Sequence, residues 1–230
     1  VKDWSLLEAL YSQRSIRDYT DEPVTDEELH FLLDTAVKAP SGGNRQPWAF
    51  VVIRKQETKY SLGQLFLRSF EAYTERVRGM AEKGIPEAQR QVERWSNNTN
   101  FGAFQKNFEK APVMILVCAD ERVSSGVHPG PQAAVMSMNS LYGSIFPAVQ
   151  NILLGCMSLG LGAVPTTLHS YYENEVKDLI GIPEHFRTVC LLPIGHTEKK
   201  YGPTRRIPAH EKTHWDRWGD QNQWEPRTRA

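Results

Sequence analysis

The sequence has no excess of charge of either sign, since lysine plus arginine and aspartate plus glutamate each number 27 in 230 residues. No global field draws the chain to nucleic acid or anionic lipid, so any anion site must be built locally. Cysteine is scarce as well. Cys118, Cys156 and Cys190 are odd in number, far apart and set in apolar runs, which excludes a disulfide framework and predicts buried thiols in a reducing compartment. The most apolar stretch, Ile145 to Val164, is broken by Gln150, Asn151, Ser158 and several glycines, and reads as a core helix entering a strand, not as a membrane span. Val1-Lys2-Asp3-Trp4 lacks the sections of a secretory signal, so the expectation is a cytoplasmic protein with neither a membrane nor a nucleic-acid partner. No Gly-x-Gly-x-x-Gly turn follows a strand and no Gly-x-Ser-x-Gly elbow occurs, which speaks against a Rossmann domain and against an esterase-type nucleophile.

What is there fits one domain spanning 1–230. A helix is predicted from about Ser5 by Leu6, Leu7, Leu10 and Tyr11. Thr25 and Glu28 form a capping box for a second, with Leu29, Leu32, Leu33, Ala36 and Val37 as its stripe and Pro40 as its stop. Phe50 to Ile53 reads as a strand buried on both faces. From Glu57 to about Arg94 the chain is charged and irregularly amphipathic, with a break at Gly84-Ile85-Pro86. This pattern predicts two projecting helices, then a polar turn with Phe101, Phe104 and Phe108. Val113 to Ala119 is a core strand, Glu121 to Pro131 a loop, and Ala133 to Ser158 an apolar helix for the molecule's centre or a subunit interface. Strands at Leu161–Leu168 and Val189–Ile194 flank a short helix at Glu173–Ile180. The irregular intervals predict an α+β fold with a central mixed β-sheet flanked by helices. The tail, 196–230, is too rich in proline for regular structure and too rich in tryptophan to stand free in water.

Two stretches carry the chemistry. Arg14-Ser15-Ile16-Arg17 offers guanidinium forks and a hydroxyl suited to a phosphate. Pro40-Ser41-Gly42-Gly43-Asn44-Arg45-Gln46-Pro47-Trp48 offers glycines for close backbone approach and amides that both donate and accept. Together they describe a polar-rimmed seat for a flat ligand.

This pairing resembles the FMN-dependent nitroreductase family, and the likeness continues through Leu159–Thr167, Pro193-Ile194-Gly195 and Arg205-Arg206-Ile207-Pro208. Gln13 departs from it, standing where many relatives carry a basic residue. The resemblance implies a homodimer embraced by a C-terminal arm at 196–230, a substrate-selecting lid at 57–108, FMN as cofactor and NAD(P)H as donor. By position it assigns Arg14, Ser15, Arg17, Arg205 and Arg206 to the phosphate, and Pro40, Ser41, Gly42, Asn44 and Gln46 to the ring and ribityl chain. Pro165, Thr166, Thr167 and Leu168 fall to the flavin N5 edge. The implied activity is ping-pong reduction of a small aromatic acceptor, a nitroaromatic or quinone, with no obligatory catalytic side chain. Phe104, Phe108 and Tyr142 are candidates for the substrate side.

The same seat is compatible with reductive dehalogenation, desaturation, flavin storage or flavin fragmentation. A rival motif, His210-Glu211-Lys212-Thr213-His214, matches the zinc-hydrolase spacing, but it follows Pro208 and no helix is evident to present a third ligand. The expectation is no metal.

Overall fold

The computed structural model describes residues 3–99, 101–123 and 131–221. Most of the expected loop from Glu121 to Pro131, Asn100, and the end of the arm with Trp224 and Pro226 lie outside the described residues. The chain opens with α1 (Leu6–Ser12) and α2 (Asp26–Ala36). Each begins with a reciprocal cap. Ser5 Oγ accepts the Glu8 N–H while Glu8 accepts that of Ser5, and Thr25 and Glu28 repeat the exchange as expected. Both pairs satisfy first-turn donors that no helical carbonyl reaches. α2 buries Leu29, Leu32 and Ala36; α1 buries nothing, and Leu6 is 72% exposed.

The elements that follow are β1 (Trp48–Ile53), α3 (Gln56–Glu82), α4 (Pro86–Ser96), α5 (Ala103–Lys106), β2 (Val113–Asp120), α6 (Pro131–Leu159), β3 (Leu161–Ala163), α7 (Glu173–Ile180) and β4 (Phe186–His196). The strands form one sheet in the order β1-β2-β4-β3, antiparallel at every pairing. The α+β class stands, but the mixed sheet of the expectation gives way to an antiparallel one, because β2 and β3, which run in the same sense, are kept apart by β4 inserted between them. β1 is also corrected. It lies at the sheet edge with only Ile53 buried, so its apolar run marks a half-covered strand, not one enclosed on both faces.

β2 sits in the middle and divides the core by its period of two. Val113, Ile115, Val117 and Ala119 face α2 and α6, while Met114, Leu116 and Cys118 face α3 and α7. Burial on both faces explains the unbroken apolar run. Opposite Val117 and Cys118 the register slips, leaving Val189 without a partner as a β-bulge. α6 buries Ile145, Ala148, Val149, Ile152 and Cys156, but Val135, Met136, Met138 and Phe146 in its earlier part are exposed. Burial pushes the thiols of Cys118 and Cys190 up to about 12, so they stay protonated and inert. No described helix is long and apolar enough to cross a membrane.

The segment 57–108, expected as a lid, is tied down by aromatic contacts. Phe66 of α3 stacks on Phe108 at 4.0 Å, and Phe101 stacks on Trp95 of α4 at 4.9 Å. Phe108 is fully buried, which removes it from the candidate substrate wall. The buried Lys59 donates to the carbonyls of Ala111 (2.8 Å) and Pro112 (3.3 Å), fastening the base of α3 to the entry of β2.

His169, which follows Leu168, is buried with neither ring nitrogen hydrogen-bonded among the described residues. Burial lowers its pKa from 6.5 to about 4, and the Glu173 carboxylate offsets only part of that. Between those values the unfolded chain binds a proton that the folded chain refuses, so stability falls as pH drops through the window. Urea unfolding should show up to about 3 kcal/mol of such loss. In His169→Leu the loss between pH 7 and pH 4.5 should be smaller by about that amount; an unchanged pH dependence would rule out His169 as its source.

Candidate functional site

The site is built on a pair of glycines. Gly162 of β3 and Gly195 of β4 are cross-strand partners, and on this bare patch lies the segment from Arg14 to Thr20. A β-carbon on Gly162 would stand 2.6 Å from Ile16 Cγ2, and one on Gly195 would stand 2.7 Å from Pro112 Cδ and 2.9 Å from Tyr19 Cβ. The segment is fastened by main-chain bonds from Ile16 N–H to Ala163 O (3.0 Å) and from Thr20 N–H to His196 O (2.8 Å). The Tyr19 hydroxyl donates to the carbonyls of Ile16 (3.0 Å) and Pro193 (3.1 Å); burial pushes its pKa well up, so it remains a donor. Ile16 is buried while Arg14 and Arg17 are exposed and Ser15 half-exposed, as an extended segment with one anchored side chain requires.

The arm joins the same place. Tyr201 donates its hydroxyl to Leu161 O (2.7 Å), and Thr204 N–H bonds Tyr11 O (3.1 Å) at the end of α1. Arg205 and Arg206 therefore enter beside the start of the Arg14 segment. Arg14, Arg17, Arg205 and Arg206 have no ion-pair partner among the described residues. Uncompensated guanidinium groups gathered by the fold are what an anion site needs.

Arg17 faces the lid segment. Its guanidinium lies 5.8 Å from the centre of the Phe104 ring. With Asp18, Tyr19, Asp21, Phe104, Asn107 and Lys110 it lines a cavity of about 660 Å3 between the first segment and residues 98–110. That volume falls in the range of small-molecule sites, about 300–1,000 Å3. Asn107 and Lys110 escape sequence reasoning because only the fold of the lid brings them to Arg17, and no local pattern marks them.

The stretch from Pro165 continues β3 into the site. Thr166 bridges Leu191 in both directions, N–H to O at 3.0 Å and O to N–H at 2.9 Å. Leu168 N–H lies 3.5 Å from Thr166 Oγ1. Thr167 is exposed, and its N–H has no acceptor among the described residues.

The loop after α2 is held in a costly conformation. Asn44 and Gln46 have φ of 53° and 50°, values that side-chain-bearing residues adopt rarely. Ser41 Oγ accepts the Gln46 N–H (3.0 Å), Gln46 Nε2 donates to Asn44 Oδ1 (3.2 Å), and Gly42 N–H donates to Ser144 Oγ of α6 (3.1 Å). Pro40 and the run Gly42 to Gln46 stay exposed. Among the described residues no hydrogen bond joins 40–46 to 14–17, 165–168 or 205–206. The segment 14–17 and the stretch before Arg205 thus dock beside β3, 165–168 continues from β3, and the loop at 40–46 is fastened to α6 instead.

The rival motif loses its geometry. Ala209–Lys212 is a single 3-10 turn and Thr213 is extended, so His210 and His214 do not share a helical face. No group of three metal-ligating side chains occurs among the described residues.

A model of the Nitroreductase family matches residues 10–196. The chain is 31% identical over 95% of its length to a Methanothermobacter thermautotrophicus protein provisionally named NADH dehydrogenase/NAD(P)H nitroreductase, covering 90% of that protein. It is 26% identical to the iodotyrosine deiodinase of Thermotoga neapolitana, over 86% of this chain and 90% of that one. Among solved structures, the NADPH:FMN oxidoreductase of Vibrio harveyi in complex with NAD+ shares its fold, with a TM-score of 0.64 and 20% identity over 94% of this chain and 79% of that one.

The glycine pair makes a sharp test. Gly195→Ala should lower stability by about 1–3 kcal/mol in urea unfolding, the usual cost of overpacking, since both Pro112 and Tyr19 must move. Gly79→Ala in α3, where an added β-carbon meets nothing within 4 Å, should be neutral or stabilising by up to about 1 kcal/mol. Equal effects at the two positions would refute the close-packing account.

Proposed function

Because the chain belongs to the nitroreductase family, we propose that it is an FMN-dependent oxidoreductase that takes electrons from NAD(P)H and delivers them to a small aromatic acceptor of the nitro or quinone type. The observation that carries this reading is the convergence of the docked Arg14 segment, the arginines of the arm and the open Thr167 N–H around β3. The residues fit the group. Arg14, Ser15, Arg205 and Arg206 hold the phosphate; Arg17, facing the 660 Å3 cavity with Asn107, meets the polar edge of the ring. Thr167 donates its N–H to N5, at a backbone kept in place by the Thr166–Leu191 bridge. FMN supplies the redox chemistry when bound, accepting hydride from the nicotinamide and passing electrons on. The chain's own part is to neutralise the phosphate, fix the ring and shut out water with the lid.

The active form is a homodimer. Leu6, Leu7 and Leu10 of α1, Val135 and Met136 of α6, and Trp218 of the arm, 90% exposed, leave apolar surface bare in one chain, more than a monomer ordinarily shows. The loop at 40–46 reaches the ring of the site across that interface. A second reading, reductive dehalogenation on the same seat, is favoured by the similarity to the iodotyrosine deiodinase; the lid at 57–108 would decide between the two.

A visible absorption spectrum tests the cofactor first: flavin bands should bleach anaerobically with NADPH or NADH and return on adding a nitroaromatic or quinone. If the protein holds no flavin and takes up none, the reading is wrong. Arg14→Ala and Arg206→Ala should each weaken FMN binding by about 1.5–3 kcal/mol with unchanged far-ultraviolet circular dichroism; unaltered FMN affinity would defeat the phosphate assignment. Ending the chain before Tyr201 should lower both dimer content in equilibrium sedimentation and flavin occupancy. A full-length protein that sediments as a monomer would contradict the homodimer.

A further inference from the structure

Thr167 also borders a second cavity, of about 300 Å3, which the flavin reading leaves unused. Its walls include Tyr142 and Phe146 of α6, Glu173 at the start of α7, and Arg187 and Thr188 of β4. The volume lies at the lower limit of ligand sites, about 300 Å3, and suits a single ring. The aromatic wall is already arranged for one, with the Tyr142 and Phe146 ring centres 6.2 Å apart.

The two charged groups on the wall, Glu173 and Arg187, are differently engaged. The bulge at Val189 sits beside Thr188, whose N–H (2.6 Å) and hydroxyl (3.1 Å) both donate to Glu173 Oε1. Those two bonds fix the carboxylate and leave Oε2 without a hydrogen bond among the described residues. Arg187, the cation on this wall, gives its Nε to Glu121 (2.9 Å). Lys177, one turn along α7, reaches instead for Glu184 O (3.2 Å). His169 beside Glu173 is neutral at pH 7 because burial holds its pKa near 4. Arg187 is thus engaged by Glu121, and Glu173 keeps one carboxylate oxygen for a ligand.

A fixed carboxylate with a free oxygen next to two aromatic faces selects a cation, since the ion pair and the ring quadrupoles act in the same sense. We infer that this cavity binds a single-ring aromatic molecule bearing a positive charge, a benzylic ammonium or a quaternised ring nitrogen, with its ring on Tyr142 and Phe146 and its cation on Glu173. A simple carboxylate is disfavoured there, because Arg187 is already flanked by Glu121 and Glu173. Binding at this site stands independently of the flavin. Its use as the acceptor site rests on the proposed function, since Thr167 borders both places.

The test is calorimetric titration of the protein as purified, at pH 7, with three probes that share a ring and a nitro group: para-nitrobenzylamine, para-nitrobenzyl alcohol and para-nitrobenzoate. The ammonium should bind about tenfold more tightly than the alcohol, and the benzoate most weakly. Glu173→Gln keeps an acceptor for Thr188 and removes only the charge, so it should bring the ammonium to the affinity of the alcohol and leave the alcohol unchanged. Should that variant fail to fold, added sodium chloride on the unaltered protein gives the same readout, weakening the ammonium alone. Equal affinities, tightest binding by the benzoate, no binding by any probe, or an ammonium preference that survives both Glu173→Gln and salt would overturn the inference. Adding NADPH separates the two claims: probes that bind without being reduced leave the cation site standing and remove it as the acceptor site.

Discussion

The contact on which the rest depends is the one between two missing side chains and a strip of extended backbone. Gly162 and Gly195 face each other across β3 and β4, and the Ile16–Tyr19 strip lies in the space their β-carbons would fill. Because Ile16 is pressed inward there, its neighbours must turn outward, and Ser15 and Arg17 take up their positions for reasons of packing alone. The arm then uses the same strand, through Tyr201 on Leu161 O. β3 has only three residues, yet it receives the first segment on its face, the arm at its start and the Thr166 bridge just beyond its end.

Much of this was legible in the sequence where the cause is local. The Thr25–Glu28 cap, the breaks at Pro40 and Gly84, the unbroken apolar run of β2 and the i, i+3 pattern of α2 each follow from a few neighbouring residues, and the structure has them. What was misjudged depends on distant parts of the chain. Leu161–Leu168 reads as one strand because its residues favour β structure, but Pro165 brings no N–H to a ladder, and pairing shrinks to three residues and a single bridge at Thr166. The sense of the sheet and the edge position of β1 are properties of connections, which composition does not encode. In the candidate site, Arg14 and the arm arginines rest on the resemblance to a family motif, whereas the company of Arg17 with Asn107 and Lys110 depends on how residues 57–108 pack through Phe66 and Phe108.

Strain separates the two halves of the seat. The strip at 14–20 is relaxed and bound to the sheet, while the loop at 41–46 carries Asn44 and Gln46 in the left-handed region and keeps them there with its own hydrogen bonds and one to α6. A costly conformation persists only where surroundings over-determine it. Here those surroundings are within the chain: the Ser41–Gln46 and Asn44–Gln46 bonds, Gly42 on Ser144, and the Arg45 guanidinium on Val123 O at 3.0 Å.

The charge of the chain, zero overall, is likewise zero only as a sum. Arg14, Arg17, Arg205 and Arg206 have no ion-pair partner among the described residues, while at the Glu173 cavity the wall cation is engaged by Glu121 and the carboxylate keeps one oxygen unbonded. Surface charges a Debye length apart, about 8–10 Å in physiological salt, hardly feel one another, so a balanced chain can keep two fields of opposite sign within one subunit. Around a flavin such a division has a use. On the proposed function, the arginines would hold a phosphate that must not leave, and Glu173 would meet molecules that must come and go, where a single fixed carboxylate gives selectivity without the tight multiple contacts that would slow release.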